Sequence, residues 1–132
     1  MPSIFSRIIS RELPGYIVAE TDRHIAFLDV RPMVEGHTLC VPKREVDYYY
    51  DLTDEELTEL TLFTKRIATG LKAAINCQRV ANGVLGLEVP HVHVHLVPVN
   101  DTSDFRFGKV IEVPAARMQE LRDTIAAAIP PA

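Results

Sequence analysis

Hydrophobic and polar residues alternate along this chain with two different periods, and each change of period predicts an element. Ile4, Phe5, Ile8 and Ile9 recur at helical intervals, so residues 3–12 read as a short amphipathic helix stopped by Pro14-Gly15. Residues 16–19 and 24–30 read as two strands, with Thr21-Asp22-Arg23 between them suiting a tight hairpin turn. A loop holding Pro32 and Gly36 leads to a third strand at 37–41, ended by Pro42-Lys43. Thr53 followed by Glu56 is a capping box, because the hydroxyl and the carboxylate can each take a backbone N–H left free at a helix start. Leu57, Leu60, Phe63, Ile67, Leu71 and Ala74 then keep a helical period to about residue 75. Residues 79–89 are strand-like, with Gly83 and Gly86 marking a bend. Pro90 precedes strict alternation over residues 91–97. Residues 101–113 are polar and irregular with room for one short strand, and Pro114 at the first helical position opens a last helix to about residue 127. No segment repeats and no linker splits the chain. The order of elements predicts one α+β fold on an antiparallel sheet, with a long central helix and a short N-terminal one.

The alternation at 91–97 raises the question of chemistry. Period-two geometry places His91, His93 and His95 on one face of a strand and Val92, Val94 and Leu96 on the other. Three imidazoles packed against hydrocarbon would each need a hydrogen-bond partner to offset lost solvation. A lone histidine in such a place is usually structural; three in register point to a site. Two readings stand side by side. His-x-His on a strand offers two ligands to a zinc ion, with His37 as a third, although no cysteine pair or carboxylate shares that face. Alternatively, a neutral imidazole offers a lone pair at physiological pH. If its other nitrogen donates to a backbone carbonyl, the tautomer is fixed and the nucleophile aimed, while flanking imidazoles stabilise charge and move protons.

Composition removes several other classes. A 132-residue chain that is 47% hydrophobic can close a core without a staple, and a net charge of −4 argues against a nucleic-acid duplex or an anionic membrane as partner. Two cysteines, Cys40 and Cys77, are too few for a disulfide framework. Arg7, Arg11 and Glu12 interrupt any signal-peptide core, so the chain reads as cytoplasmic with free thiols. Gly83-x-x-Gly86 is too weak a pattern for a phosphate loop, and Tyr48-Tyr49-Tyr50 reads as an amphipathic turn leading into the Thr53 cap.

Residues 90–97 resemble the signature of the histidine triad (HIT) superfamily, His-φ-His-φ-His-φ-φ with φ apolar. Residues 4–9 are similar to that family's N-terminal helix, residues 26–30 to its nucleoside-pocket strand, and residues 32–43 to the loop and strand that follow. The resemblance implies a HIT-like domain over residues 1–100, with 101–132 as a C-terminal extension packed on it. It further implies a hydrolase or transferase acting on nucleoside 5′-phosphoramidates or related nucleotide anhydrides. In that scheme His93 attacks the α-phosphorus, His95 and His37 surround the phosphate, and His91 orders the triad. Asp29 would hold the ribose hydroxyls, Phe5, Ile8, Phe27 and Val30 would wall a purine base, and Asn82, Glu88 and Val89 would complete the nucleotide contacts. Taken singly, each apolar residue among these reads as core, and Asp29 as a turn cap. The family also implies a homodimer that joins two half-sheets edge to edge.

Departures from the family pattern shape the expectation. The zinc-binding branch carries Cys-x-x-Cys where this chain has Ser3 and Ser6, and a histidine where it has Glu45, so no metal and no other cofactor is expected. Many members place Gly-Gln-Ser or Gly-Gln-Thr before the triad; here the stretch is Gly86-Leu87-Glu88, which removes an amide donor and adds a carboxylate. That substitution implies an altered leaving-group preference or weak activity. The rival readings are a nucleotide-binding adaptor with a decayed site and a histidine metal-binding protein.

Overall fold

A computed structural model describes residues 2–132. Its elements run α1 (Ile4–Ile9), β1 (Ile17–Glu20), β2 (His24–Leu28), β3 (Thr38–Pro42), α2 (Asp54–Ala74), β4 (Arg79–Gly83), β5 (Val94–Val99) and α3 (Ala115–Ala128). The five strands form one antiparallel sheet in the order β1-β2-β3-β5-β4. This is the α+β architecture that the hydrophobic pattern predicts.

The two faces of the sheet are covered differently, because alternate residues of each strand point opposite ways. Ala26, Leu28, Cys40, Val94 and Leu96 face a large core closed by Leu60, Phe63, Ile67 and Leu71 of α2 and by Met118, Leu121 and Ile125 of α3. The α2 residues recur at intervals of three and four, so they form one stripe. Full burial of each contributes roughly 1.5–3 kcal/mol. The capping box forms as expected: Thr53 accepts from the Glu56 N–H, and Glu56 accepts from the Thr53 N–H. Gly70 lets the end of α3 approach, since a Cβ there would lie 2.7 Å from the Ile129 Cα. On the opposite face, Ile25, Phe27, Leu39 and Val41 meet Phe5 and Ile8 of α1 in a second, smaller cluster.

Several boundaries differ from the sequence reading. The first helix ends at Ile9, because Arg11 turns the chain with a left-handed φ of 67° before Glu12 is reached. The fourth strand stops at Gly83; Leu85 and Leu87 beyond it are exposed, so their apolar character does not reflect pairing. The fifth strand begins only at Val94; His91 lies in a bend, its N–H donating to the Val89 carbonyl at 2.8 Å, and Val92 and His93 precede the β3 ladder. It continues through Pro98, tolerated because β3 pairs with β5 only from Val94 to Leu96 and leaves Pro98 free on that side. Between residues 101 and 113 no strand forms; the chain makes a 3₁₀ turn at Thr102–Asp104 instead. Pro114 is the cap residue of α3 rather than its first helical position. Cys40 and Cys77 are both buried and free, and burial pushes the Cys40 thiol up to about 12. Among the described residues no helix is long and apolar enough to cross a membrane.

Candidate active site

The loop from β2 to β3 and the approach to β5 bring four histidines together on the α1 face. His37 immediately precedes β3, and the Asp29 N–H donates to its carbonyl at 2.9 Å, closing the loop on itself. His95 lies in β5 opposite Leu39 and Gly83. The alternation that begins at residue 91 survives ahead of the ladder: Val92, Val94 and Leu96 join the large core while the imidazoles turn the other way. The His93 ring lies 4.9 Å from that of His95, His37 lies 5.1 Å from His95, and Phe5 sets its edge against His93 at 4.9 Å and His91 at 5.9 Å.

Backbone groups decide which nitrogen of each ring carries the proton. The Met33 N–H donates to Nδ1 of His37 at 3.0 Å, so a neutral His37 holds its proton on Nε2. That Nε2–H donates to Nδ1 of His95 at 2.9 Å, which leaves His95 with its own proton on Nε2. His91 donates from Nε2 to the Pro42 carbonyl at 2.7 Å, and its Nδ1 accepts from the Ser3 hydroxyl at 2.6 Å. His93 donates from Nδ1 to the His91 carbonyl at 2.7 Å, so its Nε2 keeps a lone pair. Among the described residues, no buried side-chain nitrogen or oxygen lacks a partner. The desolvation problem raised by three imidazoles is thus solved by the Pro42 and His91 carbonyls together with the Ser3 and His37 side chains.

Burial favours the neutral form of His37, His91 and His95. Burial, followed by the neighbouring imidazoles His95 and His93, lowers His37 to about 3. Burial and then His93 lower His95 to about 4, and burial also lowers His91. Asp29 lies 3.6 Å from Nε2 of His37, and burial raises its carboxyl against the Arg31 N–H that donates to it at 2.9 Å. Asp29, His37 and His95 each offer one atom within 4.8 Å of the others, a spacing a cation could span. The donor chemistry does not suit a cation, because the Met33 N–H occupies one lone pair of His37 and a proton the other. A ligand role for His37 would require breaking that bond or forming an imidazolate.

The remaining expected residues divide into two groups. Phe5, Ile8 and Phe27 are buried in the small cluster beside the triad, with Val89 packed against it. Asp29 is at its rim, while Val30 is 70% exposed and stands clear of it. Asn82 pairs with Leu96 and lines an open cavity of about 480 Å³, together with Tyr48, Tyr49, Tyr50 and His93. Glu88 is exposed, yet near enough to Asp29 for its charge to raise that carboxyl. Three features escape sequence reasoning. Leu39 and Val41 complete the apolar wall, a role their strand alternation could have signalled. Phe107 sets its ring 5.1 Å from His95, out of a segment whose polar character gave no sign of it. Ser3, Ser6 and Glu45 gather at His91.

A family model of the HIT domain matches residues 10–102. The chain is 39% identical over 99 residues to adenosine 5′-monophosphoramidase HNT1 of Saccharomyces cerevisiae, covering 74% of this chain and 63% of that protein. It is 33% identical over 127 residues to an uncharacterized HIT-like protein of Borreliella burgdorferi, covering 89% and 91% respectively. A crystal structure of a hypothetical histidine triad nucleotide-binding protein from Sulfolobus tokodaii superposes with a TM-score of 0.81 at 29% identity, covering 95% of this chain and 90% of that one.

Proposed function

The chain belongs to the HIT domain family, and on that premise we propose that it is a nucleotide hydrolase or transferase that cleaves nucleoside 5′-phosphoramidates or related phosphoanhydrides through a nucleotidyl-histidine. The observation that carries this reading is the His93 Nδ1–H donated to the His91 carbonyl, which leaves Nε2 as a free lone pair. Nε2 of His93 attacks the α-phosphorus as the bond to the leaving group lengthens. His95 presents its Nε2–H to the phosphate, and the relay from Met33 through His37 holds that proton on the outward nitrogen. The amine leaves with a proton from solvent, and the water that later breaks the nucleotidyl-histidine returns one, so the enzyme ends as it began. Phe5, Ile8, Phe27 and Val89 give the base an apolar wall, with Asp29 beside it for the ribose hydroxyls, while the exposed Val30 lies outside that wall. His91 acts through its carbonyl and Asn82 and Glu88 flank the approach.

Incubation with adenosine 5′-phosphoramidate, wild type beside His93→Ala, tests the assignment. Turnover is expected to fall by at least about a thousandfold in the variant, with 5′-AMP binding retained. Survival of turnover would remove His93 from the role. A second reading, a nucleotide-binding protein without turnover, is favoured by Leu87, which is 82% exposed where many members carry a polar amide. Nucleotide binding without turnover in the wild type would select it. The homodimer belongs to the same proposal: β4 pairs only with β5, which leaves a strand edge for a second copy.

A further inference from the structure

Among the groups that the proposed cycle does not use, one set is built more completely than the rest. Glu45 follows β3 in the turn after Pro42, and its Oε1 accepts from the Ser3 N–H at 2.6 Å and from the Ser6 hydroxyl at 2.7 Å. Those two hydrogen bonds hold its carboxyl down to about 2, so it stays ionised across the ordinary pH range. Ser3 is itself buried and has its single hydroxyl proton committed to Nδ1 of His91, while its oxygen accepts from the Ser6 N–H at 3.0 Å. The Ser6 hydroxyl also lies 3.5 Å from Nδ1 of His91, so both serines and the carboxylate converge on one imidazole nitrogen. His91 in turn has no exposed surface and is pinned at its other nitrogen by Pro42.

The set reaches His93 by two routes. Along the main chain, the His91 carbonyl accepts the Nδ1–H of His93. Across space, Phe5 sits two residues beyond Ser3 on the same short helix and places its ring edge on both His91 and His93. A six-residue helix is too short to hold itself, and it is attached to the sheet by Phe5, Ile8 and Ile9 on its apolar side and by this clasp at its start. We propose that Glu45 is a positioning residue: by anchoring Ser3 and Ser6 it holds α1 against His91 and thereby fixes the tautomer and aim of His93. This rests on the assignment of His93 as the nucleophile. What Glu45 supplies is an acceptor at a fixed place, not a charge felt by the phosphate.

The test compares Glu45→Ala and Glu45→Gln with wild type, by kinetics on adenosine 5′-phosphoramidate and by ¹⁵N NMR of the imidazoles. Loss of hydrogen bonds to a charged acceptor is expected to lower kcat by about tenfold in Glu45→Ala, with KM moving less than about twofold. In the same variant the His93 signals should change from a single Nδ1–H tautomer to a mixture. Glu45→Gln keeps the acceptor and should restore both kcat and the tautomer to near wild type. A folded Glu45→Ala with unchanged kcat and unchanged His93 signals would overturn the proposal, as would a Glu45→Gln as impaired as Glu45→Ala. If Glu45→Ala does not fold, Ser6→Ala removes one donor alone and should show the same tautomer mixing with a smaller fall in kcat. If His93→Ala remains active, the function assigned to the site fails, whereas the NMR arm still decides whether Glu45 orders His93.

Discussion

The two faces of the central sheet are made from the same strands and held by different physics. On the α2 face, Leu60, Ile67, Leu71, Leu96 and Ile125 are almost entirely removed from water, and the polar groups beside them are few: His24 stacks on Phe63 at 5.0 Å, and the buried Thr38 hydroxyl donates to the Gly36 carbonyl at 2.8 Å. On the α1 face a smaller apolar cluster borders four imidazoles whose inner nitrogens are hydrogen-bonded one by one, with Nε2 of His93 and of His95 left for a ligand. Hydrocarbon burial is non-directional, so the first face tolerates small shifts of its parts. Hydrogen bonds are directional, so the second face fixes protons on named atoms. One face supplies stability in bulk; the other uses a part of that stability to hold rings in a single arrangement.

Substitutions that act on one face alone test this division. His95→Asn should lower turnover by roughly 10²–10³-fold while leaving the unfolding midpoint close to wild type, since the amide oxygen can accept the His37 Nε2–H while the donor to the phosphate is lost. An unfolding midpoint that collapsed with it would show that the two faces are not separable. Ile67→Ala should do the reverse, costing about 2–5 kcal/mol of unfolding free energy by denaturant titration, with kcat per folded molecule little changed. A smaller effect is expected from pH. His37 has its value lowered from 6.5 to about 3, so between those values the unfolded chain takes a proton that the folded chain refuses. Stability is therefore unaffected by this group above 6.5 and is lost as pH falls below it. The slope from one such group is at most about 1.4 kcal/mol per pH unit. Denaturation of His37→Asn from pH 7 down to 4.5 should show a shallower loss than wild type; equal slopes would place the acid sensitivity elsewhere. Smallest of all, Thr53→Ala should cost about 1 kcal/mol through loss of the α2 cap and leave the imidazole face untouched.

What the sequence disclosed follows the same division. The stripe of α2 and its capping box were legible because a helix writes its buried face into a repeating interval, and the structure starts that helix one residue after Thr53. The common face of the three histidines was legible from alternation, which any extended backbone obeys. That His91 and His93 precede the ladder was not, because pairing depends on a distant strand, and β3 pairs with β5 only from Thr38 to Cys40. Residues 84–89 read as strand because Val84, Leu85, Leu87 and Val89 are apolar, yet Leu85 and Leu87 lie on the surface. Residue type alone does not separate the two outcomes. Ser3, Ser6 and Glu45 stood out in the sequence as three separate departures from a family pattern. Only folding shows that they meet at one imidazole, because the contacts span 39 to 88 residues.

The proton positions at this site are written largely in main-chain atoms: the Met33 amide, the Pro42 carbonyl and the His91 carbonyl. A substitution at the rim of the site changes a side chain and leaves these main-chain groups where they were. Genetic drift can therefore remodel the rim of the site, at Leu87, Glu88 or Phe107, without rewiring the imidazoles behind it. A lineage built on such a centre can exchange one leaving group for another by surface substitutions, while the machinery that makes and breaks the bond is inherited intact with the backbone.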